Sequence, residues 1–122
     1  MIRLSILPNS STPAYRQIAE QIASQILSGE IEGGSPLPPI RTVARELGVS
    51  VITVRSAWDS LESDGLIITR SGSGCFAAGL SKQDISERKI ETVKQPLSEI
   101  IAAAKQMGIT KKELTELIEE LY

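Results

Sequence analysis

Gly48-Val49-Ser50 most narrows what this chain can fold into, because it leaves room only for a tight turn between two helix-patterned segments. Upstream, Ile40, Val43, Ala44 and Leu47 recur at the i, i+3, i+4, i+7 spacing of a helix with one buried face. Downstream, Val54, Ala57, Trp58 and Leu61 form a second such stripe, leaving Val51, Ile52, Thr53, Arg55, Ser56 and Asp59 off it. Gly48 suits the position just past a helix end, since glycine takes a positive φ without a Cβ clash. Ser50 suits the N-cap of the next helix, its hydroxyl accepting from a backbone N–H one turn on. Helices joined this closely splay at a steep angle, which projects the N-terminal face of the second outward, where it can enter a major groove.

Gly65 stops the second pattern. Leu66-Ile67-Ile68-Thr69-Arg70 and Cys75-Phe76-Ala77 flank a Ser71-Gly72-Ser73-Gly74 turn and read as a β-hairpin. Taken alone, its tip is an ordinary turn. Its place directly after the helix pair makes it a wing, with backbone N–H groups free to approach a phosphate or enter a minor groove. Before the pair, Thr12-Pro13 opens a further helix, with Pro13 at the first helical position, where a missing N–H costs nothing. Tyr15, Ile18, Ala19, Ile22 and Ile26 supply its apolar stripe and Gly29 closes it. Ile2-Arg3-Leu4-Ser5-Ile6 alternates apolar and polar residues and predicts a short strand. The fold class expected is mainly α with a small β-hairpin: a winged helix-turn-helix domain over residues 1–79, then a helical tail over 80–122.

The division rests on a composition shift near Gly79, after which six of the seven basic residues are lysine. A helix is expected from about Lys82, bent or restarted at Pro96, which lacks an amide donor and clashes with the preceding turn. Leu97, Ile100, Ile101, Ala104 and Met107 continue its stripe to Gly108. Thr110 and Glu113 then form a capping box, with Ile109 and Leu114 at the positions of a hydrophobic staple. Leu114, Leu117, Ile118 and Leu121 face inward on this last helix. Two thin helices cannot cover both stripes, so Leu97, Ile100, Ile101, Ala104, Leu114, Leu117, Ile118 and Leu121 are candidates for a dimer interface. The alternative is that the hairpin folds back on its own winged domain.

Charge and residue inventory exclude several functions. The net charge is −2, and residues 1–80 hold six arginines against seven acids, which argues against a nonspecific, histone-like binder. Arg41, Arg45, Arg55 and Arg70 nevertheless fall on or beside the groove-facing elements, and a guanidinium fork suits guanine O6/N7 or phosphate oxygens. With no histidine and the single cysteine Cys75, neither a Cys/His metal set nor a His-assisted nucleophile is available. Glu62 with Asp64, and Glu119 with Glu120, are better read as polar helix faces than as acid/base pairs. Cys75 reads as a small, half-buried side chain of the hairpin. No cofactor or metal is implied, the protein is not expected to be an enzyme, and nothing resembles a signal peptide or membrane span, which points to the cytoplasm.

Several motifs in register resemble a known family: Tyr15-Arg16-Gln17-Ile18, Ile26-Leu27-Ser28-Gly29-Glu30-Ile31, Leu37-Pro38, Arg41, Leu47-Gly48-Val49-Ser50, Thr53-Val54-Arg55, Leu61-Glu62, Asp64-Gly65-Leu66-Ile67 and Gly72-Ser73-Gly74. Residues 12–78 look like the N-terminal domain of GntR-type bacterial transcription regulators. The resemblance implies DNA contacts from Arg41, Ser50, Thr53, Arg55 and Gly72. Ile52, on the same first turn, and Ser73, beside Gly72, complete the candidate DNA-binding set. There are two departures. Val51 stands where many members have an arginine, so a base contact is missing or replaced by apolar contact with a thymine methyl. Pro39 replaces a capping serine, a loss typically worth about 1 kcal/mol. The short tail resembles the small YtrA-like branch, whose members dimerise through a helical tail and commonly repress transporter operons.

The function expected is therefore a sequence-specific, homodimeric DNA-binding repressor, reading an inverted repeat in double-stranded operator DNA. Its effector is unidentified, and it has no membrane partner. The rival from another class is a winged-helix protein-interaction module that binds no DNA, which the acidic balance and an exposed Val51-Ile52 pair would favour. A fragment leading into a pyridoxal-dependent enzyme domain would need further downstream sequence.

Overall fold

The computed structural model describes residues 2–122. It contains α1 (Ala14–Ser28), α2 (Ile40–Leu47), α3 (Val51–Ser63), β1 (Ile67–Arg70), β2 (Gly74–Ala77), α4 (Lys82–Gln106) and α5 (Lys111–Leu121). The chain forms two compact units, Met1–Lys82 and Gln83–Tyr122. Among the described residues, no helix is long and apolar enough to cross a membrane.

In the first unit α1 and α2 pack on α3, and α3 packs on the hairpin. The expected stripes form the core. Ile18, Ile22, Val54 and Leu61 are fully buried, with Ile26, Val43, Ala44, Ala57 and Trp58 around them. Each large aliphatic side chain removed from water contributes about 1.5–3 kcal/mol, so this shared seam holds the unit together. Pro13 lies one residue ahead of the place expected for it: it is the N-cap of α1, and its carbonyl accepts the amides of Arg16 and Gln17 at 3.1 and 3.0 Å.

The hairpin is antiparallel, pairing Ile67 with Ala77, Ile68 with Phe76, Thr69 with Cys75 and Arg70 with Gly74. A stretch just before α2 adds to its free edge. The Leu37 amide donates to Cys75 O, and the Ala77 amide to Ser35 O, both at 2.8 Å. The wing is thereby fastened to the segment that leads into α2.

The strand expected at residues 2–6 is not there. The chain is extended, with Ile2, Leu4 and Ile6 half-buried against the core, but its backbone is bonded by side chains of α1. Gln17 Nε2 donates to Leu7 O at 3.1 Å while its Oε1 accepts the Leu7 amide at 2.8 Å. Gln21 holds Ser5 in the same way, at 2.7 and 3.0 Å, and Gln25 Nε2 donates to Arg3 O at 2.8 Å. Three side-chain amides thus stand where a neighbouring strand would be.

In the second unit, α4 runs through Pro96 as one helix of 25 residues instead of restarting there. Proline removes only its own i→i−4 bond, and the turns on either side carry the helix across. Gly108 and Ile109 turn the chain, the Ile109 amide donating to Ala104 O at 2.9 Å. The capping box forms as expected: Thr110 Oγ1 accepts the Glu113 amide at 3.1 Å, and Glu113 Oε1 accepts the Thr110 amide at 3.0 Å.

Candidate nucleic-acid interface

The turn between α2 and α3 is built as its residues require. Gly48 has φ 68°, a conformation in which a Cβ would be strained, and the Val49 amide donates to Ala44 O at 3.0 Å to close α2. Ser50, extended at φ −73° and ψ 155°, then caps α3: its Oγ accepts the Thr53 amide at 3.0 Å and lies 2.9 Å from Thr53 Oγ1. Two candidate contact residues are therefore joined to each other. Their shared hydrogen bond fixes the first turn of α3 before any ligand arrives, and a cap of this kind is worth about 1 kcal/mol.

On α3 the side chains divide sharply. Val51, placed off the buried stripe by the sequence reading, is half-buried and packs against the core. Its spacing explains this, since it lies three residues before Val54 and seven before Trp58. It cannot fill the outward role of an arginine at that position, and the exposed Val51-Ile52 pair reduces to Ile52, which is 75% exposed. Arg55 and Asp59 are also exposed and follow Ile52 at i+3 and i+7. The outward strip of α3 thus presents an apolar side chain, a cation and an anion in that order.

Arg41 and Arg45 are exposed on α2, one turn apart, and Arg45 lies in the last turn, where a cation complements the helix dipole. Pro39 is the N-cap of α2 and offers no side-chain cap, as expected from its chemistry. At the wing, Ser71, Gly72 and Ser73 are exposed, and Gly72 has φ 76° in open space. The amides there are not all free, because the Ser73 N–H donates to Arg70 O at 3.0 Å. The Arg70 guanidinium lies 5.2 Å from the centroid of the Phe76 ring across the hairpin. That contact holds the cation at the base of the wing, with a strength of about 0.5–1 kcal/mol for an exposed pair. Cys75 is free and half-buried, its Sγ 3.5 Å from Thr69 Oγ1.

In the tail, Leu97, Ile100, Ile101, Leu117, Ile118 and Leu121 are exposed and Leu114 is half-buried. Ala104, expected at the same interface, is 7% exposed. Among the described residues no group of three or more His, Cys, Asp or Glu side chains is arranged to hold a metal. The glutamines that bind the N-terminal segment were not singled out from sequence, although their spacing of four opposite an alternating segment was the available signal.

Comparison with known proteins agrees with this geometry. Residues 14–77 match the model of bacterial regulatory proteins of the gntR family. The HTH-type transcriptional repressor YtrA of Bacillus subtilis is 33% identical over 118 residues, covering 97% of this chain and 91% of YtrA. A GntR family transcriptional regulator from Listeria monocytogenes superposes with a TM-score of 0.80 at 28% identity, covering 92% of this chain and 97% of that one. The DNA-binding domain of AraR, solved in complex with operator ORX1, superposes with a TM-score of 0.56 at 31% identity, covering 63% of this chain and 96% of that one. These relatives are regulators of transcription and not enzymes. The chain belongs to the GntR family of bacterial regulatory proteins.

Proposed function

We propose that the protein is a homodimeric repressor that binds an inverted-repeat operator in double-stranded DNA and acts in the cytoplasm on a transporter operon. The observation that carries this reading is the outward N-terminal face of α3, where Ile52 and Arg55 stand exposed beside a first turn already fixed by the Ser50–Thr53 bond. Arg41 holds the helix pair against the backbone, Arg55 takes a guanine or a phosphate, and Gly72 with Ser73 forms the wing tip. The AraR complex supports DNA as the partner, and the repressor role follows the likeness to YtrA. The tail brings two such surfaces together through its uncovered apolar side chains. Half-sites then lie about one helical turn apart, roughly 34 Å, or a multiple of it.

Immunoprecipitation of the tagged protein across the genome, followed by footprinting, gives the operator. On that operator Arg55→Ala costs about 1–3 kcal/mol in a gel-shift titration and leaves the sedimentation coefficient unchanged. Unchanged affinity removes Arg55 from the interface. Binding falls steeply as salt rises, because phosphate contacts release counterions. Partner binding that ignores salt and needs no DNA turns the reading into the rival one, a protein-interaction module centred on Ile52.

A further inference from the structure

We propose that Ile52 reads the 5-methyl group of a thymine, and that each half-site carries this thymine within one or two base pairs of the guanine taken by Arg55. The proposal rests on the DNA-binding reading above. Of the first three residues of α3, Val51 packs inward and Thr53 is bonded to Ser50, so Ile52 alone carries its full side chain outward. A single exposed isoleucine is unremarkable on most surfaces. Here it occupies the turn that a second helix of this kind inserts into the major groove.

The chemistry leaves it one target there. The side chain of isoleucine has neither donor nor acceptor, and among the base edges of the major groove only thymine offers an apolar group, its C5 methyl. Against the polar edges of a G·C pair, Ile52 would displace water from groups it cannot bond, so it also discriminates by exclusion. Spacing links it to Arg55. Three residues of helix rise about 4.5 Å, against about 3.4 Å between successive bases of a strand. The methyl and the guanine therefore lie close together in the site.

The test replaces each thymine of the footprinted operator by uracil, which deletes only the methyl, and measures affinity for the wild-type protein, Ile52→Ala and Arg55→Ala. One thymine per half-site is expected to weaken wild-type binding about fourfold when replaced. Ile52→Ala should bind the unmodified operator more weakly and be indifferent to that same replacement. Arg55→Ala should retain the uracil effect. Circular dichroism checks that the variants fold. If uracil changes nothing at any position while Arg55→Ala still weakens binding, the methyl contact is wrong and the DNA-binding reading stands. An equal uracil effect in wild type and Ile52→Ala assigns the methyl to another group and also overturns the proposal. If no DNA is bound at all, both readings fall together.

Discussion

The winged unit and the tail unit treat their apolar residues differently. In the first, Ile18, Ile22, Val54 and Leu61 lose all contact with water. In the second, Ala104 is the one buried side chain among the described residues, while Ile100, Leu117 and Leu121 face solvent. Three helices and a hairpin can enclose a common centre, because each contributes one face. In the tail, α4 and α5 leave most of their apolar side chains exposed. The first unit therefore owes its stability to its own sequence, and the second has apolar surface to offer a partner.

That contrast can be broken most directly with paired substitutions. Leu61→Ala should destabilise the winged unit by about 2–5 kcal/mol in thermal or urea unfolding, the range for emptying a buried leucine site. Ile100→Asp should leave that transition in place and convert the proposed dimer to monomer in sedimentation equilibrium. A loss of fold from Ile100→Asp, or an unchanged dimer, would mean that the two units are not divided in this way. A smaller effect is expected from Ser50→Ala. It removes the cap of α3 for about 1 kcal/mol and frees Thr53 Oγ1, so stability and operator affinity should fall together.

The smallest effect sharpens the view of the tail. Glu113, exposed at the start of α5, is held below the ordinary glutamate range by hydrogen bonds from Thr110, backbone first and side chain second. A depressed carboxyl contributes its stabilisation fully above the unfolded value, about 4.3, and loses it as pH falls through the lower folded value. Tail helicity followed by circular dichroism should therefore hold through the weakly acidic range and decline only at lower pH. Glu113→Gln should flatten that decline.

Much of this was legible because its causes are local. Periodicity placed α1, α2 and α3, the glycine at position 48 placed the turn, and Thr110 with Glu113 announced the start of α5. Errors arose where a pattern reports a condition without naming its partner. Alternation at residues 2–6 correctly signals an extended chain with one side buried, yet it cannot say that glutamine side chains take the other edge. Val51 shares the spacing of Val54 and Trp58, but a stripe begun at Val54 leaves it off the buried face. Pro96 is a helix breaker by local chemistry, and the turns around it outweigh that preference. At the candidate site, the exposure of Arg41, Ile52 and Arg55 followed from the helix period. The cation held over Phe76 and the used amide of Ser73 depend on hairpin register, which composition does not reveal.

The lashing of the N-terminal segment to α1 has a built-in length. Each rung pairs two residues of extended chain, about 6.4–6.8 Å, with four residues of helix, about 6.0 Å, so the two scales slide past each other like a vernier. Gln17 and Gln21 still grip both backbone atoms of their partners, whereas Gln25 grips only Arg3 O, and its buried Oε1 has no partner among the described residues. At Arg3, the last rung among the described residues, the strap is already down to one bond of two.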